Sequence, residues 1–486
     1  MLFNSFYFLG AFAVFVPVYY LLPRWRLWVL TAASLGFYAS FTPSHLLVLI
    51  ALCAATQLCG LQLRAGHPDS RRRLALAAGV LANLGALALF KYAGFVATSI
   101  ADVVPGLGQS ADPLVRALGA TPAGLSFYAF SGVSYLADVY AGRLEAERNP
   151  ARLLCYVAFF PKLLAGPVER SRPFLAQLSR VVPFDRTRVV SGLQQLLWGL
   201  TKKVVIADRL ALFVDKAYGQ STFASPADLL LATYFFAFQL YCDFSGYSDM
   251  AIGVARVLGF DFGENFRRPY LATSVREFWS ARWHVSLSTW FRDYLYVPLG
   301  GSRVSLGRRC LNLLAVFGLS GLWHGANGTF VVWGGLNGLY VVVGTVRATW
   351  GSRARPATDE GADRPVTASW MRSLGGTVLT FHLVLVTWVF FRAPTVDAAL
   401  EILTRVGLGW ASLPGQLVQR MTPEVWVSVS LIAALLGAEG LDERRSIWDR
   451  LSTRPVALRW VFYYLLLVAL AVGGHWDLRQ FVYMQF

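Results

Sequence analysis

The chain opens with MLFNSFYFLGAFAVFVPVYYLL, residues 1–22, an apolar run without a charged side chain. Its first basic residues, Arg24 and Arg26, follow the run. A secretory signal has its positive charge before the apolar stretch, and about 20 apolar residues are enough to cross a bilayer. The run is therefore predicted to be a first membrane helix. Its N-terminus is predicted to lie outside the cytoplasm because the positive charge follows the helix.

The composition of the whole chain extends this prediction. Of the 486 residues, 56% are hydrophobic and only 15% are charged, against about 25% in soluble domains. This is too little charged surface for a soluble enzyme, and the ten-residue alternating segments of a membrane barrel do not occur. The five cysteines form no C-x-x-C pair, which argues against a zinc site or a disulfide framework. The composition therefore indicates an all-α polytopic membrane protein.

Positive charge recurs in every second connection between the apolar segments. The connection at Arg24 and that at residues 71–73 are basic, whereas residues 42–44 are neutral and residues 91–117 are nearly balanced. This is the positive-inside pattern, so much of the net charge of +16 is predicted to orient a multi-pass membrane protein and not to bind nucleic acid. We count roughly 11–13 membrane segments, and after the first run they lie near residues 27–41, 45–63, 74–90, 122–141, 190–200, 204–214, 228–241, 311–323, 329–346, 375–391, 424–438 and 456–473.

Two stretches do not fit a simple crossing. Residues 153–168, LLCYVAFFPKLLAGPV, are too short to span, contain two prolines and have basic charge on both flanks. They are predicted to dip into the membrane and return, which is tolerated only where protein buries the backbone or water reaches it. A cavity is therefore expected nearby. Residues 347–373 are basic and polar and are predicted to form a solvated loop.

Polar side chains are concentrated between Asp243 and Asn337. Residues 256–309 carry nine basic and four acidic side chains, interspersed with Trp, Phe and Tyr. Polar groups inside a membrane are costly and are candidates for function. This stretch is therefore the predicted functional region.

Two histidines lie in this region. His284, in RWHVSLS, would share a helix face with Ser288. His324, in GLWHGAN, ends an apolar run and is surrounded in sequence by Gly321, Gly325 and Gly328, small residues that let backbone or ligand approach closely. Histidine is the side chain best suited to accept a proton near neutral pH. The residues alone leave both a catalytic and a structural role open for each.

Other chemistries find little support. The chain has no G-x-S-x-G elbow, no Walker A motif and no H-E-x-x-H. Two separated histidines without an acidic helper make a poor zinc site, so no metal is predicted. Asp243 and Asp249 are possible ion-coupling carboxylates of a transporter, but six residues apart on one helix they would not share a face closely. A transporter remains an alternative at this point.

Five phrases of the sequence form a recognisable series: PAGLSFYAFSGVSYLADVY (122–140), FFPKLLAGPVER (159–170), GLTKKVVIADRL (199–210), QLYCDFSGYSDMAIGVARVLGFDFGENFRRPYLATSVREFWSARWHVSLSTWFRDYLYVPLGG (239–301) and GLSGLWHGANGTFVVWGGLNG (318–338). Together they resemble the bacterial alginate O-acetylase branch of the membrane-bound O-acyltransferase family. They occur in the family's order and cover most of residues 1–350, whereas the C-terminal third matches only as apolar segments. The resemblance implies one membrane domain over residues 1–486, with a core motif region at 120–340 and variable helices over 375–486.

The resemblance also implies a ring of helices with re-entrant segments around a central tunnel, and it implies acyl transfer. The family's catalytic histidine falls on His324, and its second polar position falls on His284. His324 would take the proton of an acceptor hydroxyl, with Asn327 as a possible donor to the developing oxyanion. Further candidates for substrate binding are Asp243, Ser245, Asp249, Arg282 and Arg292.

The implied reaction defines the expected partners. The donor would be a cytoplasmic acyl thioester such as acetyl-CoA, met by basic loops that include Arg170 and Arg172, and no tightly bound cofactor is expected. The acceptor would be a hydroxyl of an exported polysaccharide, alginate or a similar polymer, or a periplasmic relay protein of the SGNH-hydrolase type. The alternative within the superfamily is transfer of D-alanine or another acyl group to a cell-wall polymer such as teichoic acid or peptidoglycan.

Overall fold

The computed structural model describes residues 2–103, 121–353, 366–444, 446–476 and 481–482. Within these residues helix is the only regular secondary structure, which confirms the predicted all-α class. The helices of the N-terminal half are Phe6–Leu21, Arg26–Ala39, His45–Gln62, Asp69–Val103, Leu125–Tyr140, Pro150–Ala158, Phe160–Leu163, Ser171–Leu178, Arg186–Leu200, Asp208–Gly219 and Pro226–Val257. Those that follow are Val275–Glu277, Val285–Phe291, Leu306–His324, Gly328–Arg353, Val366–Arg392, Val396–Leu408, Leu413–Arg420, Pro423–Arg444, Ile447–Ser452 and Val456–Gly473.

Fewer helices are long and apolar enough to span a membrane than the 11–13 segments expected. Among the described residues six qualify, and a seventh span results if Phe6–Leu21 and Pro23–Ala39 are counted together across their bend of 102°. Most of the remaining segments form helices that are too short or too polar: Leu125–Tyr140 has 16 residues, and Leu306–His324 carries two arginines. The six spans are His45–Gln62, Asp69–Val96, Gly328–Trp350, Ser373–Arg392, Pro423–Glu443 and Val456–Gly473.

The chain forms two compact units. The first comprises residues 1–197, 247–263 and 480–486, and the second comprises residues 198–246 and 264–479. In the first unit the predicted re-entrant stretch folds as the short helices Pro150–Ala158 and Phe160–Leu163, and nearly all of its side chains are buried. Burial within protein is the condition under which such backbone is tolerated at membrane depth.

The second unit contains a fully buried ion cluster. Thr201–Ala207 is π-helical, and all seven of its residues are buried. The Nζ of Lys203 lies 2.8 Å from Oδ1 of Asp208 and 2.7 Å from Oδ1 of Asp243. The three side chains are at most 3% exposed, so the two carboxylates compensate a charge that water does not reach.

Helices Leu306–His324 and Gly328–Arg353 form a tightly packed hairpin in the second unit. A Cβ added at Gly321 would lie 2.3 Å from the carbonyl oxygen of Phe330, and one added at Gly334 would lie 2.5 Å from that of Phe317. The two backbones therefore approach more closely than any side chain would permit. Small residues at such crossings are typical of helix pairs in membranes.

Both described ends of the predicted solvated loop at 347–373 are helical. Its first residues continue the helix that ends at Arg353, and its last residues belong to the helix that begins at Val366. Residues 354–365 lie outside the described residues. The charged side chains near both ends do not stop the helices, because Arg is a good helix former.

Candidate active site

His284 and His324 line the same cleft of the second unit, which offers about 250 Å³ of space. The cleft has an apolar wall of aromatic and aliphatic side chains and a small number of hydroxyls and arginines. Such a mixture is typical of small-molecule sites. The other lining residues are Arg276, Trp279, Ser280, Trp283, Leu287, Ser288, Thr289, Phe291, Arg292, Tyr296, Arg309, Leu313, Val316, Phe317, Ser320, Val341 and Thr345.

His324 is the last residue of its helix. The next residue, Gly325, adopts an extended conformation and ends the helix. A Cβ at Gly325 would lie 2.1 Å from the ring of Phe330, so protein fills the space that the glycines leave. The expected close approach is therefore made by protein atoms, both at Gly325 and at Gly321.

Aromatic rings enclose His324, which is only 4% exposed. The ring of Trp333 meets the imidazole edge-on with centroids 4.9 Å apart, and those of Trp323 and Phe391 lie at 4.8 and 5.4 Å. Trp333 is held in turn by the hairpin, since Asn337 donates to its carbonyl at 2.9 Å. A rigid, dry surrounding of this kind keeps bulk water away from a reacting group.

His284 precedes a short helix and does not lie on it. Its backbone is left-handed, with φ 44° and ψ 54°, and the helix Val285–Phe291 starts at the next residue. Ser288, the predicted neighbour on one helix face, lines the same cleft. The imidazole is 2% exposed and packs edge-on against Phe244 with centroids 4.6 Å apart. Burial lowers the pKa of His284 to about 3, so the ring is neutral at physiological pH.

The arginines of the region have different surroundings. Arg292, a predicted binding residue, lines the cleft and pairs with Asp293 at 2.8 Å. Arg282, also predicted, is absent from the lining and instead contacts Glu277 at 2.6 Å and Glu443 at 2.9 Å. Arg276 and Arg309, which are not among the predicted binding residues, also line the cleft. Within the described part of the chain, neither has a carboxylate within 4 Å.

The other predicted binding residues lie elsewhere. Asn327 caps its helix through the N–H of Thr329 and donates to the carbonyl of Pro394 at 2.9 Å. Asp243 is engaged by Lys203, and Ser245 is 1% exposed. Asp249 belongs to the first unit, where Gln195 donates to it at 3.2 Å. The cleft thus brings together His284, Arg292 and His324, and its lining contains none of the other candidates.

Two residues beside the histidines are not among the candidates predicted from the sequence. Ser320 precedes His324 by four residues, so the helical repeat puts both on one face, and this spacing could have identified it. The side-chain oxygen Oδ1 of Asn265 lies 3.0 Å from Nδ1 of His284. No sequence spacing relates two residues that are 19 positions apart in an irregular segment. Among the described residues, no group of three His, Cys, Asp or Glu side chains is arranged to hold a metal ion.

Comparison with known proteins places both histidines in a recognised segment. A sequence profile of the membrane-bound O-acyltransferase family matches residues 141–363. The chain is 39% identical over 404 residues to a probable alginate O-acetylase of Azotobacter vinelandii, covering 82% of this chain and 76% of the relative. It is 38% identical over 409 residues to one of Pseudomonas aeruginosa, covering 82% and 73%. It is 31% identical over 415 residues to a peptidoglycan O-acetyltransferase of Helicobacter pylori, covering 80% and 75%.

Proposed function

This chain belongs to the membrane-bound O-acyltransferase family and is therefore an O-acyltransferase, and from that premise we propose that it O-acetylates an exported polysaccharide. The observation that carries the proposal is that His284 and His324 line the same cleft. The names of the similar proteins support the acetyl group and the polymer acceptor. Membership of an acyltransferase family argues against the transporter alternative.

His324 is the proposed general base. Its imidazole takes the proton of the acceptor hydroxyl while the hydroxyl oxygen attacks the carbonyl carbon of an acyl thioester. A C–O bond forms and the C–S bond breaks, and the proton then leaves with the thiolate as a free thiol. A positioned base of this kind contributes about 10²–10⁴-fold to the rate.

The developing oxyanion needs hydrogen-bond donors inside the cleft. The hydroxyls of Ser288 and Ser320 line the cleft and are the proposed donors. They are better candidates than Asn327, whose amide already caps a helix and binds a carbonyl. Ser320 has the further advantage that it lies one helical turn before His324.

The proposed donor is acetyl-CoA, whose phosphates would meet the arginines of the cleft. Arg276 and Arg309 have no carboxylate partner among the described residues, and a guanidinium is well suited to bind phosphate. These side chains lie in the same unit as the histidines, whereas Arg170 and Arg172, the sequence-based candidates, belong to the first unit. The cleft arginines are therefore the better-supported donor site.

The acceptor, the partner and the membrane are further parts of the proposal. Alginate or a similar exopolysaccharide is the first candidate acceptor, and the similarity to a peptidoglycan O-acetyltransferase favours a cell-wall polymer as the second. An SGNH-type periplasmic protein is the proposed relay. Six helices among the described residues are suited to spanning, which makes this a multi-pass membrane protein. The bacterial inner membrane is the proposed location because a cytoplasmic thioester must reach the cleft.

The decisive experiment replaces the proposed base. H324A should abolish acetylation of the polymer, measured by mass spectrometry as base-labile acetate per repeat. The amount of the variant in the membrane, measured by immunoblot, should equal that of the wild type. H382A is the matched control, because His382 is exposed, bonds Tyr234 and does not line the cleft. Persistent acetylation by H324A would contradict the assignment. The same spectra, with and without the gene, identify which polymer is acetylated.

A further inference from the structure

The side chain of His284 meets a buried amide, that of Asn265, which is 1% exposed. The Oδ1 of Asn265 lies 3.0 Å from Nδ1 of His284. The same oxygen lies 2.8 Å from Oγ of Ser286 and 3.2 Å from the main-chain nitrogen of Ser286. Polar groups of residues 284 and 286 therefore converge on one amide oxygen.

The chemistry of these groups decides which atom of Asn265 faces them. A main-chain N–H can only donate, so the atom that meets the N–H of Ser286 must be the carbonyl oxygen and not the NH₂ group. That oxygen cannot donate a proton. The proton in the contact with His284 must therefore reside on Nδ1, and in a neutral imidazole the other nitrogen, Nε2, is then an acceptor.

The main chain holds Asn265 in this position. The N–H of Val285 donates to the carbonyl of Asn265 at 2.9 Å, and the N–H of Arg267 donates to the carbonyl of Arg282 at 2.8 Å. Between these two bonds lies His284 with its positive φ of 44°, a conformation that non-glycine residues seldom adopt. Such a backbone persists only where its surroundings over-determine it, and it is found most often at functional sites.

We propose that Asn265 is a positioning residue that fixes His284 in the Nδ1–H tautomer, so that Nε2, on a ring that lines the cleft, is a permanent hydrogen-bond acceptor. The inference rests on the proposed acyl transfer. Nε2 accepts the hydrogen bond of a second hydroxyl of the polysaccharide acceptor and so orients the sugar, and His324 removes the proton of the attacking hydroxyl. The division of labour gives the two histidines different chemistry, because only a neutral His284 can accept at Nε2.

The surroundings of His284 determine the direction in which a nearby charge would shift its pKa. Burial, and not a charged partner, is the cause that lowers the pKa of His284 to about 3. The rings of Phe244, Phe266 and Trp323, which pack on the imidazole, are uncharged. Charged groups close to these rings in the chain include the pairs Asp243–Lys203, Glu264–Arg267 and Arg268–Asp442. Arg282 and Glu277 form a pair just before His284, and the titratable groups that line the cleft with His284 are Arg276, Arg292, Arg309, Tyr296 and His324.

The first test is N265D, which has the same shape and keeps an acceptor for Ser286. A carboxylate beside Nδ1–H stabilises the imidazolium and raises the pKa of His284. The ¹⁵N resonances of His284 in N265D should therefore titrate at least roughly one pH unit higher than in the wild type, and the protonated ring cannot accept at Nε2. A His284 that titrates at the wild-type pH in N265D would overturn the proposal, because it would mean that the side chain of residue 265 does not contact Nδ1–H of His284.

The second test reads the tautomer without turnover. The chain has only six histidines, so the spectrum of H284Q subtracted from that of the ¹⁵N-histidine-labelled wild type isolates the two nitrogens of His284. We expect a protonated Nδ1 and an unprotonated Nε2 in the wild type, and a mixture of tautomers in N265L. In assays N265L should lower kcat at least about tenfold and change KM little. The assay uses the full chain in detergent micelles, [¹⁴C]acetyl-CoA and an oligomannuronate acceptor. A wild-type spectrum with the proton on Nε2 would refute the inference.

Asn312 supplies the matched control. Its side chain is buried to a similar degree, donates to the carbonyl of Leu299 at 3.0 Å and does not line the cleft. N312D introduces the same charge into the same unit, and His284 in this variant should titrate as it does in the wild type; a shift equal to that of N265D would refute the inference. If the wild type transfers no acetyl group, the proposed function fails, yet the nitrogen spectra still decide the tautomer.

Discussion

At the scale of single residues, burial controls what each polar group of this chain can do. His324 lies among the rings of Trp323, Trp333 and Phe391, which leave it 4% exposed. A hydroxyl that reaches this histidine competes with little water, and the thioester is therefore protected from hydrolysis. His284 is buried as deeply but is anchored by an amide, so its ring has one defined hydrogen-bonding pattern.

Lys203 provides a prediction about stability. K203M removes the cation and leaves Asp208 and Asp243 buried without compensation, which should cost about 3–5 kcal/mol of unfolding free energy. The melting temperature of the detergent-solubilised protein should fall accordingly. The triple variant K203M/D208N/D243N, in which all three charges are gone, should recover most of the loss.

An exposed ion pair is the control for this prediction. Arg73 and Asp69 lie 2.5 Å apart, but their side chains are 72% and 55% exposed. Water screens such a pair, so R73Q should leave the melting temperature unchanged. If K203M has the same melting temperature as the wild type, the buried cluster does not stabilise the fold and the prediction is wrong.

At the scale of elements, irregular helical geometry surrounds the cleft. The helix Val285–Phe291 is preceded by π-helical Phe278–Arg282 and followed by π-helical Arg292–Tyr296. Each widened turn changes the direction in which later side chains point, and π-helical turns occur frequently at functional sites. Regular 3.6-residue spacing consequently fails to predict which residues of 276–296 line the cleft.

The glycine-packed hairpin carries a second prediction. G321A and G334A would each place a methyl group within 2.5 Å of a carbonyl oxygen on the facing helix, which forces the helices apart. Overpacking of this kind costs about 1–3 kcal/mol. Because Gly321 lies three residues before His324, G321A should also reduce acetyl transfer. Melting temperature and acetate content of the polymer measure the two effects.

Two other glycines of the same hairpin are matched controls. Gly318 and Gly335 have no atom within 4 Å of an added Cβ. Alanine is a better helix former than glycine, so G318A and G335A should be neutral or slightly stabilising. Equal losses at all four positions would mean that backbone flexibility, and not close packing, is what these glycines provide.

At the scale of the whole molecule, the net charge of +16 has two uses. Basic connections between apolar segments are predicted to orient the chain in the membrane. Other arginines, among them Arg276, Arg292 and Arg309, line the cleft and give it a positive potential. Such a potential attracts anionic ligands and weakens as salt is added.

The cleft arginines therefore predict how donor binding responds to charge. R276Q and R309Q should each raise KM for acetyl-CoA roughly three- to tenfold, because a phosphate loses a charged partner. KM for the uncharged thioester N,S-diacetylcysteamine should not change. R303Q is the control because it removes the same charge. Arg303 is exposed and lies outside the cleft lining. Equal effects of all three variants on acetyl-CoA would exclude a specific donor site.

The sequence alone determined the structural class of the protein and the region of the chain that contains its candidate catalytic residues. Long apolar segments with few charges are incompatible with a soluble fold, and helices satisfy every backbone group within one segment, so composition was enough to predict an all-α membrane protein. Polar groups inside a membrane are costly, so their concentration in residues 243–337 identified this region as the candidate functional one. Family motifs then pointed to His284 and His324, and the cleft contains both.

Only the tertiary structure decided the number of helices suited to spanning and the partners of the buried groups. Apolar runs such as 311–323 are helical, but adjoining arginines and short lengths remove them from the candidate spans. The contacts of Asn265 with His284 and of Lys203 with Asp243 join residues 19 and 40 positions apart. No local pattern encodes such pairs, because they form only when separate elements pack and bury polar groups that must then find partners.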